Sequence, residues 1–121
     1  MGFQPSRNLA AMKYDIKTEV NLIATELGGR KYPVSSRWSP IFCYDEQNWI
    51  ATFFTDEDVE WVHPGETVVA YFLFLSPHRH LGKLYPGKEF TLCESGRVIA
   101  NGKVLAILNM EESAKRFSES D

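Results

Sequence analysis

The sequence predicts an all-β domain, a sandwich or a closed barrel, ending in a short C-terminal helix. Three observations predict it. Some six short runs alternate apolar with polar residues or are rich in β-branched and aromatic ones. Turn-forming residues separate consecutive runs, and no helical pattern intervenes between them. Period alone does not choose between sandwich and barrel.

At 121 residues, with 44% hydrophobic and 13% aromatic content, the chain has the size and the material for one domain with a real core. Residues 1–12 read as a polar N-terminal tail, 13–108 as the β domain, and 109–121 as a short helix or tail.

From Tyr14, the residues Ile16, Thr18, Val20 and Leu22 alternate with Asp15, Lys17, Glu19 and Asn21, the pattern of a half-buried strand. A helix here would group Asp15, Glu19 and Leu22 on one face, a poor core. Gly28-Gly29 marks a turn, and Pro33, Ser35, Ser36 and Pro40 keep the next stretch loop-like. Ile41–Tyr44 and Trp49–Thr55 read as two strands joined by the polar turn Asp45-Glu46-Gln47-Asn48. His63-Pro64-Gly65-Glu66 leads into a long β-branched and aromatic strand over 67–75. Residues 78–88, with Gly82, Pro86 and Gly87, read as a solvated loop. Glu89–Glu94, a Ser95-Gly96 turn and Arg97–Leu108 form the clearest hairpin. Asn109 with Glu112 is a helix start, after which Met110, Ala114 and Phe117 share one face.

Net charge is −3 and the isoelectric point is near 5.6, which argues against a general nucleic-acid binder, whose affinity comes largely from neutralising phosphates. Cys43 and Cys93 stand 50 residues apart without CxxC spacing, and are expected to be free thiols of a cytosolic protein. No apolar run suits a signal peptide or a membrane span of roughly 18 residues. A cytoplasmic location is therefore expected.

Several segments together resemble a known family. Lys17-Thr18-Glu19-Val20-Asn21-Leu22 followed by Glu26-Leu27-Gly28-Gly29-Arg30-Lys31-Tyr32-Pro33 is similar to the first strand and glycine turn of the C-terminal barrel of elongation factor Tu. Pro40 and Phe42 match that barrel's next strand, and Val62-His63-Pro64-Gly65-Glu66 its following turn. Val68 to Pro77 resembles its long strand ending in proline, and Phe90 through Val104 its closing hairpin. The likeness covers roughly Tyr14 to Leu108. It implies a six-stranded antiparallel barrel, a role in translation, and contacts with the T stem of aminoacyl-tRNA and with a GTPase domain.

Departures from the family change the expected partner. The P-loop pattern GxxxxGK[ST] is absent, so GTP binding and hydrolysis are not expected of this chain. Where the family has arginines, Ser39 and Asp45 stand here, and Ile41 replaces a glutamine. Asp45 reverses the sign of a phosphate contact, and losses of this kind weaken binding several-fold each. Extra residues around Lys83 to Gly87 lengthen one loop. A protein partner is therefore expected, in a translation-related, regulatory or immunity-like role. A tRNA-binding barrel, weakened by Ser39 and Asp45, is the alternative, and no membrane partner is expected.

Candidate binding residues are Arg30, Lys31, Arg97 and Lys103 near the glycine turns, the aromatics Phe54 and Trp61, and the run His78-Arg79-His80. Phe53 and Phe54 are adjacent, so a strand points one inward and one outward. Exposed aromatics on the wall would serve a protein interface. The histidines would need His63 or a cysteine to complete a metal site, and a solvated loop is the simpler reading. A small metal- or thiol-dependent enzyme, with Cys43 served by His63 or His78, is a third alternative without a motif behind it. No catalytic residue and no cofactor are expected.

Overall fold

A computed structural model of the chain describes residues 13–119, without the side chains of 118 and 119. The expected tail over 1–12 and the last two residues of the C-terminal segment lie outside the described residues. Six strands form: β1 (Ile16–Leu22), β2 (Ile41–Tyr44), β3 (Gln47–Thr55), β4 (Thr67–Phe74), β5 (Glu89–Glu94) and β6 (Arg97–Ile107). They close antiparallel in the order β1-β4-β3-β2-β5-β6, with β6 pairing back to β1. One helix, α1 (Met110–Glu119), follows β6. The closed barrel resolves the choice that periodicity left open, and the expected helix is present.

Two hairpins set the register on one side. Asp45-Glu46 joins β2 to β3 with both residues at positive φ (50° and 62°), and Ser95-Gly96 joins β5 to β6 in the same way (52° and 75°). Such turns match the right-handed twist of the strands they connect. The first turn is shorter than the polar run suggests, since Gln47 and Asn48 already pair as strand.

The inner face follows from the period of two. Ile16, Val20 and Leu22 of β1, Phe53 of β3, Phe72 and Phe74 of β4, and Leu92 of β5 are all buried. Phe42 of β2 lies at the centre, stacked on Phe90 at 4.2 Å and edge-on to Phe72 and Phe74 at 5.1 and 5.0 Å. Side chains thus fill a barrel of this strand number, and its interior is core.

Two glycines are required by close approach. A Cβ on Gly29 would sit 1.8 Å from the Ile23 carbonyl oxygen. Gly102 pairs with Phe90, and a Cβ there would lie 2.2 Å from Phe90 Cζ. The ring therefore lies directly over the β6 backbone.

Residues 76–88 depart from the expected solvated loop. Pro77–His80 forms a 3₁₀ turn, and Pro77, His80 and Leu84 are buried. Helix α1 packs on this turn, burying Met110 and Ala114 and stacking Phe117 on the His78 ring at 4.4 Å. Asp15, also buried, receives the Phe74 N–H on Oδ2 (2.9 Å), while its carbonyl takes the Leu108 N–H (2.9 Å). One residue thereby ties β1, β4 and the approach to α1.

Gly102→Ala should destabilise the barrel by about 1–3 kcal/mol in urea titrations, because the Phe90 ring must leave its stack on Phe42. Unchanged stability would show that the ring gives way freely.

Candidate functional site

The run His78-Arg79-His80, the densest polar cluster in the sequence, is taken apart by the 3₁₀ turn. His80 is 1% exposed, so it is neither on a solvated loop nor on a binding surface. Its Nδ1 is hydrogen-bonded to the Tyr44 hydroxyl at 2.6 Å, and its ring lies among Phe74 (4.0 Å) and Trp49 (4.6 Å). Burial, then the nearby positive charge of Lys83 and His78, lowers the imidazole from its ordinary 6.5 to about 4. Burial, followed by the Asp45 charge, pushes the Tyr44 phenol up to about 12. His78 turns the other way and lies under Phe117, leaving Arg79 exposed to solvent. His63 sits at another turn, where its Nδ1 is 3.5 Å from Glu66. Among the described residues no three of His, Cys, Asp and Glu come together as metal ligands.

Arg30, the cation of the Gly28-Gly29 turn, faces inward to the protein's own acceptors. Its Nε donates to Glu94 Oε1 at 2.8 Å, and its Nη1 donates to the carbonyls of Tyr32 (2.6 Å) and Pro33 (3.3 Å). Trp38 Nε1 donates to the other Glu94 oxygen at 2.8 Å, and the guanidinium lies 5.6 Å from the Trp38 ring. Burial opposes ionisation of Glu94, but the Trp38 and Arg30 donors outweigh it and hold the carboxyl below its ordinary range. These bonds fasten the long crossing between β1 and β2 to the β5–β6 hairpin.

The other candidate cations lie at the surface or beside acidic residues. Lys31 and Arg97 are exposed, Arg97 across the hairpin from Glu94. Lys103 is flanked by Glu19 on β1 and Glu89 on β5. Asp45, which stands where the resembled family has an arginine, pairs with Lys88 at 2.7 Å. Ser39 lies beside Thr52, hydroxyl to hydroxyl at 3.4 Å.

Of the aromatics, Trp61 is exposed beside buried Val62, which bridges to Val34. Phe54 points outward as expected, yet Tyr14 covers it (4.9 Å) and stacks on Tyr71 (5.1 Å). A shallow open depression of about 670 Å³ adjoins this cluster, lined by Ser36, Arg37, Asp56 and Glu60 among others.

Sequence reasoning missed an exposed apolar feature of the outer wall. Leu75 follows β4 and donates its N–H to the Ile50 carbonyl (3.1 Å). Ile50 on β3 pairs with Ile41 on β2, Ile41 with Cys93 on β5, and Cys93 with Val98 on β6. All lie on the outer wall, with Leu75 61%, Ile50 57%, Val98 42% and Ile41 37% exposed. The result is an apolar belt running across the strands. The opposite wall, at β1, carries Lys17, Glu19 and Asn21. The belt's members come from five separate segments, so nothing local in the sequence groups them. The pairing register does.

No family model matches the chain.

Two measurements check these environments. His80 stays neutral in the folded state down to about pH 4, while the unfolded ring takes its proton near 6.5. Its contribution is therefore fully present above pH 6.5 and lost as pH falls toward 4, a change of order 2–3 kcal/mol. Buried Asp15, pushed up chiefly by burial, acts in the opposite sense, its contribution being lost as pH rises through its folded value. Comparing the protein with His80→Phe in urea from pH 7 to 4.5 isolates the histidine, and the variant should lack this part of the acid loss. For the second, Arg30→Lys and Arg30→Ala should each cost about 1–2 kcal/mol, because an ammonium does not reproduce the forked donors. Full stability of either variant would return Arg30 to the free surface cations.

Proposed function

We propose that this chain is a non-catalytic binding module resembling the C-terminal barrel of elongation factor Tu, and that its partner is a protein in a translation-related or regulatory setting. The apolar belt from Leu75 to Val98 carries the reading. A line of exposed apolar residues on neighbouring strands favours a protein contact.

The form of the barrel supports one kind of occupant. All six strands are paired around the closed sheet, so a peptide has no edge to extend as an added strand. The belt lies on a convex wall and its members stand on neighbouring strands, which suits the face of a folded domain. The packed interior adds to this reading, since aromatic rings occupy the space a small ligand would need. The sequence resemblance is consistent with it, because the family barrel packs against a sister domain.

The tRNA alternative loses support from the cations. Arg30 and Lys88 are engaged with Glu94 and Asp45, and Lys103 lies between two acidic residues.

A photo-reactive side chain at Ile50 should give discrete cross-links to one protein in extract from the source cell. The same group at Lys17 on the charged wall should not, and Leu75→Lys should abolish the Ile50 products while leaving the melting temperature unchanged. Cross-linking from both walls alike would overturn the belt as the docking face. Binding of total tRNA at low salt, with an affinity falling steeply as salt rises, would replace the protein reading by the RNA one.

A further inference from the structure

The chain's two cysteines, distant in sequence, meet on the outer wall. Cys43 pairs with Thr91 and Cys93 with Ile41 across the β2–β5 ladder, which makes the cysteines diagonal neighbours. Diagonal side chains on one sheet face come within reach of each other. Here both are free and half-buried, with Sγ atoms 3.2 Å apart and the Cys43 thiol donating to Cys93. A disulfide spans about 2.05 Å, so closure asks the sulfurs to approach by roughly 1.2 Å, without a change of strand register. Thr91 Oγ1 is 3.9 Å from Cys93 Sγ, and no third metal-ligating side chain joins the pair among the described residues. Two thiols alone do not complete a structural zinc site.

We propose that Cys43 and Cys93 form a dithiol modification site, oxidised by low-molecular-mass disulfides to a cross-strand disulfide that pins β2 to β5. The order of the steps follows from the hydrogen bond. Burial, then the neighbouring Cys93, pushes the Cys43 thiol up to about 11, so Cys43 keeps its proton and Cys93 reacts first. Cys93, having given its proton to water, attacks one sulfur of the oxidant. An S–S bond forms to Cys93, the oxidant's S–S bond breaks, and its first thiol leaves with a proton from solvent. Cys43 then loses its proton to solvent and attacks Cys93 Sγ. The mixed disulfide breaks, and the second thiol leaves protonated. In sum two cysteine thiols are oxidised and one disulfide is reduced to two thiols. The second step is intramolecular, between sulfurs already 3.2 Å apart, so it follows the first without a lasting adduct. Oxidation adds a covalent tie between strands already paired and leaves the barrel's pairing as it is.

The test treats the full chain, natively folded, with glutathione disulfide at pH 8, and follows intact mass and free thiols. Both thiols should disappear together with a loss of about 2 Da, the chain should stay monomeric on a non-reducing gel, and dithiothreitol should reverse the change. The melting temperature should rise by roughly 10 °C, since the bond closes a long loop. Cys43→Ser should accumulate a single glutathione adduct on Cys93, and Cys93→Ser should react at least several-fold more slowly. Stable adducts on the unmodified chain without the 2 Da loss, intermolecular dimers, or thiols that react only in urea would each overturn the proposal. The mass result on the unmodified chain decides the matter whether or not the serine variants fold.

Discussion

The packing of Phe42 against Phe90, Phe72 and Phe74 is the interaction on which the rest of this structure depends. Burying a side chain of this size contributes about 1.5–3 kcal/mol, and here four rings from three strands share one space. Their demand for room is visible in the strands around them. Gly102 has no side chain because Phe90 lies over its backbone, and small Ala51, Ala70 and Ala100 are buried in the core. Aromatic rings fill the interior of the sheet, and among the described residues its closure leaves no unpaired edge for a peptide. Its chemistry is left to the outer wall and to the two ends.

At the ends, residues with functional potential serve as fasteners. His80 and Tyr44 close one end with a hydrogen bond among aromatic rings, and burial there, with the nearby Lys83 charge, keeps the imidazole neutral. Arg30, Glu94 and Trp38 hold the long crossing between β1 and β2 in place. Lys88 and Asp45 join the lengthened loop to the β2–β3 turn. In the first two cases a polar or charged group withdrawn from water is met by a partner, as burial requires, while Lys88–Asp45 is a surface pair.

The outer wall is sorted by strand. β1 presents Lys17, Glu19 and Asn21, while β2, β3, β5 and β6 contribute Ile41, Ile50, Cys93 and Val98 at one level. A shift of a single residue in any of these ladders would carry the corresponding side chain to the core face and break the belt. The same register brings Cys43 to Cys93. Apolar belt and thiol pair are thus products of one alignment.

The sequence by itself determined the strands, the turns and the terminal helix. Alternation at Ile16, Thr18, Val20 and Leu22, the Ser95-Gly96 turn, and Met110 with Ala114 are local patterns, and local patterns report which face of an element is apolar. It also placed Phe53 and Phe54 on opposite faces. Periodicity left closure to the tertiary structure, where β6 meets β1 across most of the chain, although the resemblance already implied a six-stranded antiparallel barrel. The tertiary structure alone buried His80 in a stretch whose Gly and Pro content reads as solvated loop, because the space it fills is made by Tyr44, Trp49 and Phe74 from other strands. The apolar belt, the engagement of Arg30 with Glu94 and the meeting of two distant thiols were likewise beyond any local pattern. Each is a relation between strands, and cross-strand neighbours are set by pairing rather than by nearness in the chain.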